Sequence, residues 1–385
     1  MATSLSTLIR LRAIQNKTRK LFEGMSDLHY RLQFHPDLSP AGWHLGHGLF
    51  FENYWLHEII QSNNEFTSDR SLYITENCPK AERGPRFPPL NETLKNISAQ
   101  QDINDLLLLE KTPPLSDHIL FKDEYIENFI IQHYAQHYET IHMVLQQIAL
   151  KADKGTYQPE EPLTTKIPKR DLSHIKQGSY TIGGEPPLSY DNELPTQQIS
   201  LNEFYISLKP VSNSEYLNFM RNDGYTKARY WNDDGWQWLQ NNPAHHPEHW
   251  KQNKQQQWYG INHTGAYDLQ ADDAVYGINY YEACAFATWA NARLPHEHEW
   301  ETAARLEQLS QTAHAWEWCS NTFYPYDNFE SFPCDKYSTP WFDDKHFVLK
   351  GGSPYTRPEI KRASFRNFYQ AHQRHMFAGL RLVYE

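Results

Sequence analysis

Three histidines have the side-chain type and spacing that a metal ion requires. His133 and His137 are four positions apart in a segment of helical character, and His47 closes the stretch that begins at Trp43. Residues at i and i+4 lie on one face of a helix with Cβ atoms about 5–6 Å apart, so two imidazoles can share an ion. A third imidazole from another helix would leave one face of the ion open for substrate. The pattern favours a metalloenzyme centre, although such a pair is also compatible with solvated or hydrogen-bonded side chains.

Composition and charge bound the class of protein. The chain has 385 residues, enough for two domains, and its 12 Trp, 24 Tyr and 19 Phe favour loop-rich packing filled by large rings. The net charge is −11 and no sustained Lys/Arg run occurs, which argues against nucleic acid or an anionic membrane as partner. No apolar run approaches the roughly 20 residues that span a bilayer, and no secretory signal is visible. We expect a soluble cytoplasmic protein.

The four cysteines do not indicate a zinc ribbon or a disulfide framework. They are widely separated and form no C-x-x-C pair, so buried or incidental thiols are expected. They are Cys78, Cys284, Cys319 and Cys334.

The first part of the chain, residues 1–152, is predicted to be a four-helix bundle with the histidines on facing helices. Ser39 is the expected N-cap of the second helix, with Pro40 at its first position. Residues 65–92 carry too many Pro and Gly residues for a continuous helix. The other predicted helices cover Leu5–Glu23, Leu90–Leu109 and Asp117–Lys151.

A change of pattern follows the bundle. Residues 153–170 are polar and contain three prolines, which predicts an interdomain linker. Residues 171–385 are predicted to be an α+β domain with little regular structure, since short alternating strands precede helices separated by long connections. The strands are expected within 178–183 and 199–207, and the helices over Ser212–Asn222 and Tyr280–Ala292.

Sequence motifs in both parts resemble known families. In the C-terminal part, several motifs in order resemble the formylglycine-generating-enzyme (sulfatase-modifying-factor) domain, which is C-type-lectin-like. In the N-terminal part, the stretches around His47 and from His133 to Glu139 resemble the DinB-type four-helix bundle. The fusion in this order resembles the nonheme-iron sulfoxide synthases of ergothioneine biosynthesis and their relatives that make ovothiol and selenoneine. The C-terminal motifs are Pro210–Tyr216, Arg293–Trp300, Ala303–Arg305, Trp316–Trp318 and Leu349–Ser353.

The resemblance implies a reaction and a set of site residues. In that family three histidines hold iron(II), and the matching positions are His47, His133 and His137, with His44 beside them as a packing or supporting residue. The implied reaction joins the sulfur of a thiol donor to the imidazole of hercynine with dioxygen. The remaining implied roles are hercynine binding by Gln136, Asn367 and Phe368, donor binding by Arg83 and Arg86, and catalysis by Tyr326 or Tyr337.

The chain departs from the family pattern where the donor is expected to bind. Tyr369 stands where the relatives that use γ-glutamylcysteine carry Asp, and Gln373 replaces the first of two arginines, while Arg374 is retained. Tyr369 and Arg374 are therefore candidate donor contacts without the usual paired charges. A selenosugar donor, as in a selenoneine synthase, is the closest alternative.

Other function classes stay open to different degrees. Formylglycine generation is disfavoured because the copper-dependent enzymes carry a cysteine pair that the stretch from Gly351 to Arg374 lacks. The bundle alone would also permit a DinB thiol transferase with zinc or nickel. A noncatalytic binding protein with a vestigial site is the last alternative.

Overall fold

The computed structural model describes residues 3–67, 69–113, 115–168, 170–242 and 244–385. The chain divides into two compact units. The N-terminal unit comprises Met1–Ile148, Pro186–Leu188 and Thr356–Ile360, so a short segment from late in the sequence packs with the bundle. The C-terminal unit comprises Ala149–Glu185, Ser189–Tyr355 and Lys361–Glu385.

The N-terminal unit is helical. Its long helices bury apolar positions at helical spacing, for example Leu8, Leu11 and Ile14 in the first. Ser4 caps that helix, since its side chain accepts a hydrogen bond from the Thr7 amide. The helices are α1 Leu5–Lys20, α2 Asp27–Arg31, α3 Ala41–Asn53, α4 Arg70–Tyr73, α5 Leu90–Glu110 and α6 Tyr125–Ala152.

Two predicted helix starts were wrong. Pro40, not Ser39, is the N-cap of α3 and makes no side-chain cap bond. The Ser39 hydroxyl instead accepts a hydrogen bond from Arg83 at 2.6 Å. The fourth long helix begins at Tyr125 rather than Asp117, because Asp123 and Glu124 have φ of 53° and 58°, a left-handed conformation that no α-helix continues through.

The end of α3 continues as a π-helical segment, Tyr54–Ile60. π-Helical turns interrupt the regular hydrogen-bond ladder and are frequent near functional sites. Here the segment directly follows the helix that carries His47.

The C-terminal unit contains short strands in small sheets with long connections, as predicted. One predicted strand region, 199–207, is divided between β3 and β4. The sheet orders are β1-β4-β12, β10-β9-β8-β11, β2-β3 and β5-β6-β7. The strands are β1 Leu172–Ile175, β2 Gly178–Ile182, β3 Gln197–Leu201, β4 Phe204–Ser207, β5 Trp250–Gln252, β6 Trp258–Asn262, β7 Gly265–Tyr267, β8 Ala315–Thr322, β9 His346–Gly352, β10 Asn367–Gln370, β11 Ala378–Gly379 and β12 Val383–Tyr384.

Helices of this unit begin with reciprocal capping bonds. Ser212 and Glu215 form a capping box, as do Asn279 and Glu282. These caps fix where the predicted helices start, within one residue of the expected bounds. The helices are α7 Asn213–Arg221, α8 Asp233–Asn241, α9 Tyr280–Trp289 and α10 Glu297–Arg305.

The segment predicted to be a linker belongs to the C-terminal unit and is hydrogen-bonded to other parts of it. The Tyr157 hydroxyl donates to Asp268 at 2.8 Å, and the Lys166 amide donates to the Ser214 carbonyl at 3.1 Å. Residues from Tyr157 to Lys166 are thus held against that unit, and the domain bounds inferred from sequence stay a prediction. Among the described residues, no helix has both the length and the apolar character needed to cross a membrane.

Candidate metal centre

Helix α3 carries His47 between two glycines that permit close packing. A Cβ at Gly48 would lie 2.6 Å from the Tyr134 ring, and one at Gly46 would collide with the Tyr73 hydroxyl. Glycine weakens a helix relative to alanine, so its presence here is explained by the approach of the two tyrosines rather than by propensity. The two glycines therefore allow α3 to approach Tyr73 and Tyr134 closely.

The three predicted ligands come together. One ring nitrogen from each of His47, His133 and His137 lies within 4.8 Å of the others. The ring centroids of His133 and His137, which are on α6, are 4.4 Å apart, and His47 is 5.1 Å from His133 and 4.9 Å from His137. This group, called the histidine triad below, has the number and type of ligands that a three-coordinate protein site offers to a transition metal.

Backbone and aromatic contacts fix the triad. The Nδ1–H of His47 donates to the Tyr73 carbonyl at 2.9 Å, which leaves the Nε2 lone pair free for a ligand bond. The His47 ring stacks on Trp43 at 4.2 Å, and the His133 ring stacks on Phe51 at 3.6 Å. These stacks hold both rings in place and exclude water from one side.

Burial keeps the triad neutral. Removal from water lowers the pKa of His47 to about 3 and holds the pKa values of His133 and His137 well below the usual range. Neutral imidazole is the form that binds a metal. His133 Nδ1 is buried and has no hydrogen-bond partner among the described residues.

His44 contacts the triad from α3. Its Nδ1 lies 2.9 Å from Nδ1 of His137, so one of the two nitrogens donates to the other. If His137 donates, its Nε2 lone pair is free, as metal ligation requires. This agrees with the supporting position expected for His44.

A buried acid lies on α3, the helix that carries His47, and was not singled out from the sequence. Glu52 of α3 is fully buried and accepts hydrogen bonds from Gln15, Asn104 and the Tyr134 hydroxyl, the last at 2.8 Å. Burial raises the pKa of Glu52 to about 7. The signal was available, because Glu52 is an acid among apolar residues five positions after His47.

The predicted donor-binding arginines are already engaged by protein atoms. The Arg83 guanidinium is buried, donates to Cys78 O, Ser39 Oγ and Thr75 O, and lies 4.3 Å from the centre of the Trp43 ring. It therefore supports the ring on which His47 stacks. Arg86 is exposed and donates to Ser71 at 2.6 and 3.0 Å.

Gln136 is half-buried on α6, one residue before His137. Glu139, three residues further, is buried and accepts a hydrogen bond from the Thr356 hydroxyl at 2.9 Å. The late segment that belongs to the N-terminal unit thus contacts α6, the helix that carries His133 and His137.

In the C-terminal unit, the two candidate catalytic tyrosines differ in their surroundings. The Tyr326 hydroxyl is buried and has no hydrogen-bond partner among the residues that the structure describes. Its ring lies under the Arg366 guanidinium at 4.3 Å, and burial raises its pKa well above the usual value. Tyr337 is stacked on Tyr190 at 4.3 Å. Tyr326 is therefore the tyrosine with an uncommitted, protonated hydroxyl.

The predicted substrate contacts of this unit lie on and after β10. Asn367, Phe368 and Tyr369 are half-buried, and Phe368 stacks on Phe323 at 4.2 Å. Arg374 forms an ion pair with buried Glu282 at 2.8 Å.

Comparison with known proteins gives a matching family for each part of the chain. The DinB superfamily profile matches residues 10–141, and the sulfatase-modifying factor enzyme 1-like domain profile matches residues 158–314. Over an alignment of 432 positions, the hercynine oxygenase of Mycolicibacterium smegmatis is 27% identical. The alignment covers 96% of this chain and 96% of that protein's length. That of Mycolicibacterium thermoresistibile is 26% identical, covering 96% of this chain and 93% of its own. That of Mycobacterium tuberculosis is 28% identical, covering 68% and 72%.

These matches agree with the motifs and with the helical and mixed architectures of the two units. The chain belongs to the family in which a DinB bundle is fused to a sulfatase-modifying-factor domain, the family that includes the hercynine oxygenases.

Proposed function

We propose that this chain is a nonheme iron(II)- and oxygen-dependent enzyme that forms a carbon–sulfur bond between a thiol donor and the imidazole of hercynine, an ergothioneine-type sulfoxide synthase. The observation that carries the proposal is the histidine triad, whose ligand atoms lie within 4.8 Å of one another in a chain with full-length relatives named hercynine oxygenase. The names of the same relatives support an oxidoreductase that acts on small molecules.

The residues present fit a bound iron. The donor set is three neutral imidazoles, and the partnerless His133 Nδ1 is an orphaned polar atom that a ligand would satisfy. Neutral imidazoles suit iron, zinc, nickel and copper alike, so the preference for iron rests on the family resemblance. When bound, iron(II) supplies the redox and Lewis-acid chemistry that joining a thiol to an imidazole carbon with dioxygen requires.

The protein's own residues prepare this site. The Tyr73 carbonyl holds His47 in the ligating tautomer, and Trp43, supported by Arg83, covers one face of its ring. Phe51 covers His133 in the same way. These contacts lower the cost of ordering the ligands when the metal binds.

We assign the role of catalytic proton donor to Tyr326 rather than Tyr337. A proton donor needs a hydroxyl that is protonated and not already used, and the partnerless Tyr326 hydroxyl under Arg366 meets both conditions. Gln136, Asn367 and Phe368 are proposed to bind hercynine, whose cationic head suits an aromatic face.

A selenosugar donor is the second candidate. It is favoured because two arginines expected to bind a charged donor are already bonded to protein atoms. Arg83 and Arg374 are committed to buried protein partners, and Tyr369 replaces an acid. A donor with amino-acid charges would have to compete with those contacts for Arg83 or Arg374, whereas a sugar would not. Arg86 is exposed and donates to Ser71, and it is then the predicted donor-binding arginine that remains available for an anionic donor.

The test is turnover by purified, iron-reconstituted protein with hercynine and a panel of γ-glutamylcysteine, cysteine and a selenosugar. Oxygen uptake and mass spectrometry of the product are measured, and we expect one donor to support both. Tyr326→Phe should reduce turnover strongly, while Tyr337→Phe should not. If no donor is turned over and the protein binds stoichiometric zinc or nickel, the DinB thiol-transferase alternative replaces the proposal. If metal does not bind at all, a noncatalytic protein is indicated.

A further inference from the structure

The three ligands of the histidine triad are held in three different ways. His47 donates its Nδ1 hydrogen to a backbone carbonyl, that of Tyr73. The ring of His133 is held by aromatic stacking. His137 is held by a side chain, because its Nδ1 lies 2.9 Å from Nδ1 of His44. Among the described residues, His44 is thus the hydrogen-bonding support of the triad that a substitution can remove while every ligand stays in place.

The short contact between His44 and His137 restricts where their hydrogens lie. Two ring nitrogens 2.9 Å apart form a hydrogen bond only if one carries a hydrogen and the other offers a lone pair. If His44 donated, the lone pair at Nδ1 of His137 would be used and the hydrogen of His137 would lie on Nε2, so neither nitrogen could bind a metal. A ligating His137 must therefore donate through Nδ1–H, and His44 must accept at Nδ1 and carry its own hydrogen on Nε2.

Packing holds the acceptor atom of His44 in place. The residue is 5% exposed and lies on α3, three positions before His47. The Trp43 indole meets the His44 ring edge-on at 5.4 Å, and the same indole lies 4.2 Å from the His47 ring and 6.1 Å from the His137 ring. One indole therefore packs against His44 and against two of the three ligands.

The second nitrogen of His44 argues against a role in packing alone. Nε2 of His44 is buried and has no hydrogen-bond partner among the residues that the structure describes. A buried donor without a partner destabilises the fold, and an apolar side chain of similar size would avoid that loss. The imidazole is therefore explained by what its Nδ1 does for His137.

We propose that His44 is a positioning residue, which accepts the Nδ1 hydrogen of His137 and thereby fixes the tautomer and orientation in which His137 binds the metal. This inference rests on the proposed function, since it requires a metal at the triad. A hydrogen-bonded ligand loses less freedom when the ion binds, and its ligating nitrogen is the one that carries the lone pair. The site then needs a hydrogen-bond acceptor at the position of His44 Nδ1, whereas a packing role would need only the volume of the ring.

The experiment measures zinc binding by full-length protein carrying His44→Asn, His44→Gln or His44→Leu, by competition with a chelator. The Asn carbonyl oxygen can occupy the position of Nδ1, the Gln carbonyl oxygen reaches the position of Nε2, and Leu offers no acceptor. We expect the Gln and Leu variants to bind zinc about 10- to 100-fold more weakly than the wild type. The Asn variant should bind within about threefold of the wild type, because the acceptor is restored.

Two controls separate positioning from stability. His57→Leu removes another buried histidine of the N-terminal unit, one that is bonded to Gln61 and Asn104, and should leave zinc affinity unchanged. Visible spectra of cobalt-loaded protein report the ligand set, and the Asn variant should keep the wild-type bands while the Gln variant shifts them. Thermal unfolding shows whether each variant is folded.

The outcomes distinguish this inference from the proposed function. Wild-type protein that binds neither zinc nor cobalt would refute the metal centre itself, and this inference with it. If the wild type binds zinc, the role of His44 alone is overturned by equally tight binding in the Gln and Leu variants, by rescue with Gln and not Asn, or by equal loss in the Asn and Leu variants. Failure of both amide variants to fold would show that the ring is needed for packing and would overturn it as well.

Discussion

The histidine triad and the ionic core of the C-terminal unit satisfy buried polar groups in different ways. At the triad, His133 Nδ1 and His44 Nε2 are buried with no hydrogen-bond partner in the described residues. In the ionic core, fully buried charges are paired with one another. The core pairs are Arg366 with Glu297 at 2.8 Å, Arg381 with Glu317 at 2.7 Å and Lys350 with Glu301 at 2.9 Å.

The difference separates a binding region from a scaffold. An unpaired buried nitrogen costs about 1–3 kcal/mol and is tolerated where a ligand offsets that cost. A paired buried charge contributes little by itself, but breaking the pair leaves an uncompensated charge. Changes in the ionic core should therefore affect stability, and changes at the triad should affect metal binding.

The largest effect is expected in the ionic core. Arg366→Ala should lower the free energy of unfolding of the C-terminal unit by about 3–5 kcal/mol, because Glu297 would remain buried and charged. Denaturant unfolding measures this. Lys227→Ala, which breaks an exposed pair with Asp223, is the control and should cost less than about 1 kcal/mol. Equal losses in the two variants would contradict the scaffold role.

The buried acid of α3, Glu52, should make stability depend on pH. Burial raises the pKa of Glu52 to about 7 from 4.5, so the folded state retains a proton that the unfolded state releases between those values. Stability is then highest below pH 4.5 for this group and falls as the pH rises through about 7, by at most about 3 kcal/mol. The measurement is denaturant unfolding from pH 5 to pH 8. Glu52→Gln should remove this part of the slope, and an unchanged slope would refute the assignment.

At the triad, removing one ligand should abolish metal binding while leaving the fold intact. His133→Ala should weaken iron or zinc binding by more than about 100-fold, as seen by metal analysis after dialysis. His174, an exposed histidine of the C-terminal unit, gives the control His174→Ala, which should retain full metal content. Full metal content in the His133 variant would place the ion elsewhere.

The smallest effect tests the close packing beside His47. Gly48→Ala improves helix propensity, yet we expect it to destabilise the N-terminal unit by about 1–3 kcal/mol, because the new Cβ would lie 2.6 Å from the Tyr134 ring. Thermal unfolding measures the change. Gly178→Ala, where the nearest atom is 3.4 Å away, should be nearly neutral. Stabilisation by Gly48→Ala would show that Tyr134 moves aside freely.

Much of this protein followed from local sequence signals. The long helices were predicted from apolar spacing, and Leu90–Glu110 matches its prediction within one residue. The capping boxes at Ser212 and Asn279, which the structure shows, are also local, since each joins residues three positions apart. The failures, at Ser39 and before Tyr125, arose because a distant arginine and two left-handed residues overrode local preference.

By itself the sequence determined the family, the helical and mixed architectures and the three imidazoles, because motif order and four-residue spacing are properties of the chain. Only the tertiary structure decided that the Tyr73 carbonyl orients His47, that Glu52 is buried and that Arg83 supports Trp43. Those contacts join residues far apart in the chain. Which partner a polar group finds depends on how the elements pack, and no local pattern encodes that.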